Sequence, residues 1–358
     1  MSGLDKGAQS SATLTEILSQ PETWRQCLRE LHQSGVIQEV LEETKSRTEW
    51  MFIGCGTSFY LAEAAAASWS TISGGRAHAL PASDILLFPR SATRARESTQ
   101  AVVISRSGRT SEAVKAAQVL SKEYRIPTLG ITCAAGSQLE EACDRTIRLP
   151  AADEKSMVMT RSFSSMLLAL QVLASHKSGE TGLASTLEGI ADHFARYTQP
   201  LAEQVEAFVA RHSFADYVFL GQGPFHALAR EASLKITEMS CSYSQFFHTL
   251  EFRHGPKAIV SPATCLTFFL SEQGFEAESQ VLAEMHELGG MTLAICNHAS
   301  DVVRHSSDFI FEFGFDGPEL AMLAPFIVPG QFLGFFTGVK KNLNPDKPKN
   351  LSRVVILD

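Results

Sequence analysis

The chain has 358 residues, of which 44% are hydrophobic and 20% charged, and its formal net charge is −8. A chain of this length can bury two cores of ordinary domain size, and its composition excludes wholesale disorder. The acidic balance gives no electrostatic reason to expect nucleic acid as a partner, although it leaves room for a local basic pocket that receives a small anion.

The polar start MSGLDKGAQSS lacks the apolar core of a secretory signal, and the later apolar runs are interrupted by polar or glycine-rich segments. The expectation is a soluble chain with no membrane partner. Seven cysteines, Cys27, Cys55, Cys133, Cys143, Cys241, Cys265 and Cys296, are spread without CxxC pairs or zinc-ligand spacing. They read as small, mostly buried thiols of a reducing, cytoplasmic compartment.

Residues 12–35, ATLTEILSQPETWRQCLRELHQSG, predict two short helices around Pro21, with Leu14, Ile17, Leu18, Trp24 and Leu28 as buried contacts. From residue 50 the pattern becomes a βα alternation. Strands are predicted at 50–56, 100–108 and 126–133, and helices at 59–72, 110–124 and 160–175, with RAHAL and RTIRLP as outer strands. Runs this uniformly apolar suit central parallel strands covered on both faces.

After a helical, polar segment at 178–210 the pattern recurs: strand DYVFLGQG, helix 225–239, strand TCLTFFLS, helix 275–288, and strands MTLAICN and FIFEFG. The shared order predicts an α/β fold of two consecutive domains, each a mainly parallel sheet flanked by helices, related as a tandem repeat. The expected division is a helical extension at 1–30, a first domain at 31–190, a second at 191–340 and a tail at 341–358, with the internal boundary near 185–205. A last apolar helix at about 318–338 precedes the tail KKNLNPDKPKNLSRVVILD.

GCGTSFY at 54–60 places small residues and hydroxyls where a strand gives way to a helix. Gly54 and Gly56 permit close backbone approach, and Thr57 and Ser58 put hydroxyls beside free helix amides, a fit for an anion. An ordinary capped glycine turn has the same residues. ISRSGRTSE at 104–112 repeats the device with Ser105, Ser107 and Thr110, and the Gly108 and Arg109 amides add donors. Two such loops at the ends of neighbouring parallel strands form the crevice in which open α/β sheets bind ligands. Neither loop has the spacing of a nucleotide-binding GxxxxGKS or GxGxxG motif. Arg106, Arg109 and Arg161 are candidates for ligand contact, each with solvation as the alternative.

In REASLKITE, Glu231, Lys235 and Glu238 follow at intervals of four and three, so one helix face carries acid, cation and acid. A solvated, salt-bridged helix has the same pattern. FRHGP holds His254 just before a glycine–proline turn, where an imidazole can exchange a proton near neutral pH.

The ordered set GCGTS, SRSGRTSE, REASLKITE, LEFRHGPKAIV and NPDKPKNLSRVVILD resembles the tandem sugar-isomerase-domain (SIS) family, over about residues 15–358. That family includes the isomerase half of glucosamine-6-phosphate synthase, isomerising amino-sugar-phosphate deaminases, tagatose- or galactosamine-6-phosphate isomerases and fructosamine-6-phosphate deglycases. The resemblance implies a homodimer with active sites near a subunit interface. It places substrate phosphate on Ser58, Ser105, Arg106, Ser107 and Thr110, with Gly56, Thr57, Arg161 and Arg353 as further substrate contacts. Glu238 becomes the base for proton transfer between sugar C1 and C2, Glu231 and Lys235 position the substrate, and His254 assists ring opening. The synthase's terminal lysine is replaced here by Arg353, a poor amine nucleophile, with Lys341 or Lys349 as possible substitutes.

The glutaminase domain of the synthase has no counterpart in this sequence, so the expected function is that of a stand-alone phosphosugar isomerase or isomerising deaminase acting on a 6-phosphorylated sugar or amino sugar. Deglycation of a fructosamine 6-phosphate and a non-enzymatic phosphosugar sensor are the alternatives. No metal cluster and no cofactor motif is present in the sequence, and neither is expected.

Overall fold

The computed structural model describes residues 11–92 and 98–357, and the polar start up to residue 10 lies outside them. Strands β1 (Glu49–Gly54), β2 (Arg76–Pro81), β3 (Thr99–Ile104), β4 (Thr128–Thr132) and β5 (Arg145–Arg148) form one parallel sheet in the order β2-β1-β3-β4-β5. Strands β6 (Asp216–Gly221), β7 (Tyr243–His248), β8 (Thr264–Phe269), β9 (Met291–Cys296) and β10 (Phe309–Glu312) form a second, also parallel, in the order β7-β6-β8-β9-β10. Both sheets therefore follow one topology, second-first-third-fourth-fifth, which predicts a ligand crevice at the carboxyl ends of the first and third strands.

The burial of the strands follows their place. β3, β4 and β8 are buried throughout, whereas the edge strands β2 and β7 consist of exposed and half-buried residues. RAHAL and RTIRLP are edge strands as expected. Strand β7 is different, since none of the strands predicted from sequence falls on Tyr243–His248. YSQFFH is an edge strand paired on one side only, so it carries polar residues that mask the apolar signal of its neighbours.

The helices are α1 (Ala12–Leu18), α2 (Gln20–Ser34), α3 (Val36–Glu43), α4 (Thr57–Ser73), α5 (Ser111–Gln118), α6 (Arg161–Ser178), α7 (Thr181–Arg211), α8 (Pro224–Ser240), α9 (Phe275–Glu287) and α10 (Leu323–Lys340), with shorter helical turns between. Pro21 sits in the first turn of α2, where a missing N–H costs nothing. Of the five contacts expected near it, Leu14, Ile17, Trp24 and Leu28 are buried and Leu18 is half-buried. The predicted helix at 110–124 is α5 continued by a π turn over Val119–Glu123.

The chain forms two compact units. One holds the first sheet, in Gln20–Glu154, Arg161–Ala191 and the tail from Ser352; the other holds the second sheet, in residues 11–19, Lys155–Thr160 and Asp192–Leu351. The chain passes from one to the other inside α7, a single 31-residue helix that contains Pro200.

In the unit of the second sheet, α8 packs against α10. Glycines four residues apart make this approach close: a Cβ at Gly330 would lie 2.7 Å from that of Ala232, and Cβ atoms at Gly334 and Gly338 would lie 2.8 and 2.3 Å from the carbonyl oxygens of Lys235 and Met239. Helix α10 and the turn before it are apolar enough to cross a bilayer by composition, and they are buried in this core. In the same unit the Asp346 carboxylate caps α1, accepting from Ser11 Oγ at 2.6 Å, Ala12 N at 3.0 Å and Thr13 N at 2.8 Å. Burial pushes its pKa up, but these hydrogen bonds prevail and hold it below the ordinary value.

Candidate functional site

In the first unit, β1 and β3 are neighbours and each ends in a loop that opens a helix. Gly54 is required by a close return of the chain, since a Cβ there would lie 2.2 Å from the Ser58 carbonyl oxygen. Gly56 adopts φ 55° and ψ −128°, and Thr57 and Ser58, both buried, begin α4. In the second loop, Ser105 Oγ lies 3.3 Å from Thr110 Oγ1, and the Arg109 amide donates to Ser107 Oγ at 3.2 Å. Gly108 has φ +61°, and a Cβ there would meet Ser137 Oγ at 2.2 Å. The loop is anchored from below by the Arg106 carbonyl, which accepts from Thr132 Oγ1 at 3.1 Å and the Cys133 amide at 3.0 Å. The hydroxyls of Ser105 and Thr110 thus meet just before α5, with Ser107 on the same loop, where the helix dipole favours an anion.

The arginines serve other partners. Arg106 is buried, with Nη1 2.9 Å from Glu154 Oε2, and Glu154 also accepts from the Ser162 amide at 3.2 Å and Ser162 Oγ at 2.5 Å. Arg161 Nε donates to the Asp153 carbonyl at 3.2 Å. Arg353 Nη2 lies 2.7 Å from Asp153 Oδ1, and its carbonyl is 3.5 Å from Arg106 Nη2. Beyond it, the Val355 carbonyl accepts from the Ser111 amide at 3.2 Å, and the Leu357 amide donates to Ser111 Oγ at 3.0 Å. The tail therefore lies along the start of α5, beside a cavity of about 250 Å³ lined by Ser107, Arg109, Ala134, Asp153, Arg353 and Val354.

In the second unit, Gly221, Gln222 and Gly223 turn the chain into α8 as Gly54, Cys55 and Gly56 do into α4. One face of α8 carries the expected triad. Lys235 is fully buried, with Nζ 2.6 Å from Glu238 Oε2 and 3.2 Å from Glu231 Oε1. Burial lowers the Lys235 pKa, but the two carboxylates outweigh it and raise it, so the amine is held as an ammonium. Glu231 has no exposed side-chain surface, whereas Glu238 keeps 17% and is the member that can meet a substrate.

His254 caps the turn Glu251–Arg253 and stands exposed before Gly255, whose φ is +121°. Its side chain makes no hydrogen bond to the triad among the described residues. Lys341 Nζ donates to Ser242 Oγ at 2.6 Å and the Ser240 carbonyl at 3.3 Å, sealing the end of α8, while Lys349 is exposed. No group of three or more His, Cys, Asp or Glu able to hold a metal occurs among the described residues.

Sequence reasoning missed the Asp153–Glu154 pair, which secures Arg353 and Arg106, and a histidine pair between α8 and β7. The rings of His226 and His248 stack at 3.7 Å, and His226 is pushed down to about 4 by burial, then by His248 and Arg230. Adjacent acids before a buried helix were a faint signal for the first; nothing in the sequence pairs two histidines 22 residues apart.

Residues 45–176 match the SIS domain. The glutamine–fructose-6-phosphate aminotransferase (isomerizing) of Methanothermobacter thermautotrophicus is 25% identical over 361 residues, and the match takes in 99% of this chain but only 59% of that relative's length. A Streptomyces coelicolor protein provisionally named a D-galactosamine-6-phosphate deaminase is 27% identical, across 94% of this chain and 91% of its own. Among solved structures, Thermotoga maritima glucosamine-6-phosphate deaminase has a TM-score of 0.79 at 29% identity, covering 97% and 100% of the two chains. Escherichia coli tagatose-6-phosphate ketose/aldose isomerase has a TM-score of 0.84 at 20% identity, with 97% of both chains covered, a likeness of fold.

Proposed function

We propose that this chain, whose residues 45–176 match the SIS domain, is a phosphosugar isomerase or isomerising amino-sugar-phosphate deaminase that acts as a homodimer in the cytoplasm. The observation that carries this is the triad on α8, in which a buried Lys235 ammonium holds two carboxylates and only Glu238 reaches the surface. A carboxylate fixed in this way is a positioned proton carrier.

The hydroxyls of Ser58, Ser105, Ser107 and Thr110 and the start of α5 hold the phosphate of an open-chain 6-phosphosugar, which orients its carbon chain. Arg106 keeps the phosphate loop in shape through Glu154. Glu238 removes the proton from C2 and returns it to C1 through an enediol or enolamine, with His254 exchanging the ring-oxygen proton. Lys235 and Glu231 hold Glu238 in place. An aldose becomes a ketose at that point. A 2-amino sugar becomes a ketimine at C2, and water then releases ammonia and leaves the ketose phosphate. Relatives named for galactosamine 6-phosphate and glucosamine 6-phosphate support this substrate class.

The test is incubation of the protein and its Glu238→Gln variant with glucosamine 6-phosphate, galactosamine 6-phosphate, tagatose 6-phosphate and a fructosamine 6-phosphate, with mass spectrometry of sugars and amines. Ammonia with a ketose phosphate assigns the deaminase, and an isomer alone assigns the isomerase. A larger released amine assigns a deglycase. Binding without turnover of any substrate makes the chain a phosphosugar sensor and ends the enzymatic reading.

A further inference from the structure

At the amino ends of β1 and β2, away from both loops at the carboxyl end of this sheet, the first unit contains a cavity of about 490 Å³. Six residues of β1 separate the two ends, roughly 17 Å of strand. The cavity falls within the range of about 300–1,000 Å³ typical of small-molecule sites. Its wall includes Arg47, Glu49, Trp50, Trp69, Arg76 and Lys177.

Two features of this wall point to an anionic ligand. The first is charge. Arg47, Arg76 and Lys177 supply three cations against the one carboxylate of Glu49. The last turns of α4 and α6 also end here, and each contributes about half a negative charge. The side-chain cations on the wall still outnumber its one carboxylate, which Arg76 meets at 3.6 Å. Lys177 is fixed by donation to the Thr44 carbonyl at 2.7 Å.

The second is an unmatched donor. Trp69 is 1% exposed as a residue, and its indole N–H, which makes no hydrogen bond among the described residues, is not sealed inside the core. A tryptophan N–H ordinarily finds a partner. Trp24, equally buried, donates to Ser164 Oγ at 2.8 Å. The Trp69 nitrogen faces the cavity wall at Gly75, where an added Cβ would lie 3.9 Å from it, and the glycine leaves the approach open.

We propose that this cavity is a second ligand site, distinct from the phosphate loops, for a small oxyanion-bearing metabolite: a phosphate ester or a carboxylate. The anion is held by Arg76, Arg47 and Lys177 and accepts the Trp69 N–H. This site does not depend on the activity proposed above.

The test uses the full chain with its phosphate loop disabled by Ser105→Ala, Ser107→Ala and Thr110→Val, titrated calorimetrically with inorganic phosphate, fructose 6-phosphate and citrate. One equivalent of residual binding is expected, weakened about tenfold by Trp69→Phe, which keeps the ring and removes the donor. Arg76→Glu, whose side chain is 87% exposed and leaves the core intact, should weaken it at least fivefold, a loss of roughly 1 kcal/mol. Binding of the phosphates without citrate assigns a phosphate ester, and the reverse assigns a carboxylate. If the loop variant binds none of the three at millimolar concentration, or if residual binding ignores both Trp69→Phe and Arg76→Glu, the proposal is wrong.

Discussion

The loops after β3 and β8 leave corresponding strands of two sheets with one topology, and they begin alike. The Ser105 amide donates to the Ile131 carbonyl and the Leu270 amide to the Ile295 carbonyl, each at 3.0 Å. The first loop then presents the hydroxyls of Ser105, Ser107 and Thr110. The second closes on itself: Glu278 accepts from the Ser271 amide at 3.4 Å and from its hydroxyl, and the Glu272 amide donates to Glu319 Oε2 at 2.7 Å. The Glu278 carboxyl group occupies donors that a phosphate would need, and the Glu319 carboxyl takes the next amide. The fold offers an anion slot twice, and side chains keep it open once.

The helices after β1 and β6 diverge in the opposite sense. Gly56 and Gly223 have nearly identical torsions, φ 55° with ψ −128° and −129°. Counted from Gly54 and Gly221, however, α4 carries Ala64, Ser68 and Thr71 where α8 carries Glu231, Lys235 and Glu238. One copy keeps the anion loop and the other the proton carrier, so the two halves of the proposed reaction are testable separately.

The largest effect is expected from Glu238→Gln, which should lower kcat by about 10²–10⁴-fold with little change in affinity for a phosphate ester. An unchanged kcat would remove Glu238 from the chemistry. Lys235→Met leaves two carboxylates facing each other, one of them fully buried, and should cost about 3–5 kcal/mol in urea denaturation. Adding Glu231→Leu should recover a large part of that loss, and Ser68→Ala at the matching position of α4 should cost far less.

The third prediction concerns Glu278, which burial pushes up to about 7 from 4.5, against the hydrogen bonds of Ser271. Below pH 4.5 both folded and unfolded chains hold this proton. Between 4.5 and 7 only the folded chain does, so stability falls with rising pH, by about 3 kcal/mol in all. Relative to wild type, Glu278→Gln should therefore gain stability across that window, and parallel pH profiles would count against a buried, neutral Glu278. The smallest effects test the anion loops. Ser107→Ala or Thr110→Val should each raise KM about tenfold, whereas Ser271→Ala should leave it unchanged; equal effects would erase the contrast between the loops.

The sequence carried enough local signal for most of the fold. Uniform apolar runs marked β3, β4 and β8, and glycine-terminated strands marked the two turns into α4 and α8, because periodicity and backbone freedom act over a few residues. Spacing along α8 likewise put Glu231, Lys235 and Glu238 on one face. Strand β7 was hidden because an edge strand need not be apolar, and the partners of Arg106 and Arg353 were hidden because Asp153 and Glu154 are distant in the chain.

The α/β alternation, its recurrence, and the short segments that carry hydroxyls, carboxylates and lysine were all legible along the chain. Which of these groups are spent on the protein itself was settled by packing. Arg106 is committed to Glu154, Lys341 to the end of α8 and Glu278 to Ser271, while Glu238 remains at the surface. Local pattern fixes the face on which a side chain lies, but burial and long-range partners decide its charge and its freedom to meet a ligand, and those depend on residues brought together only when the sheets and helices pack.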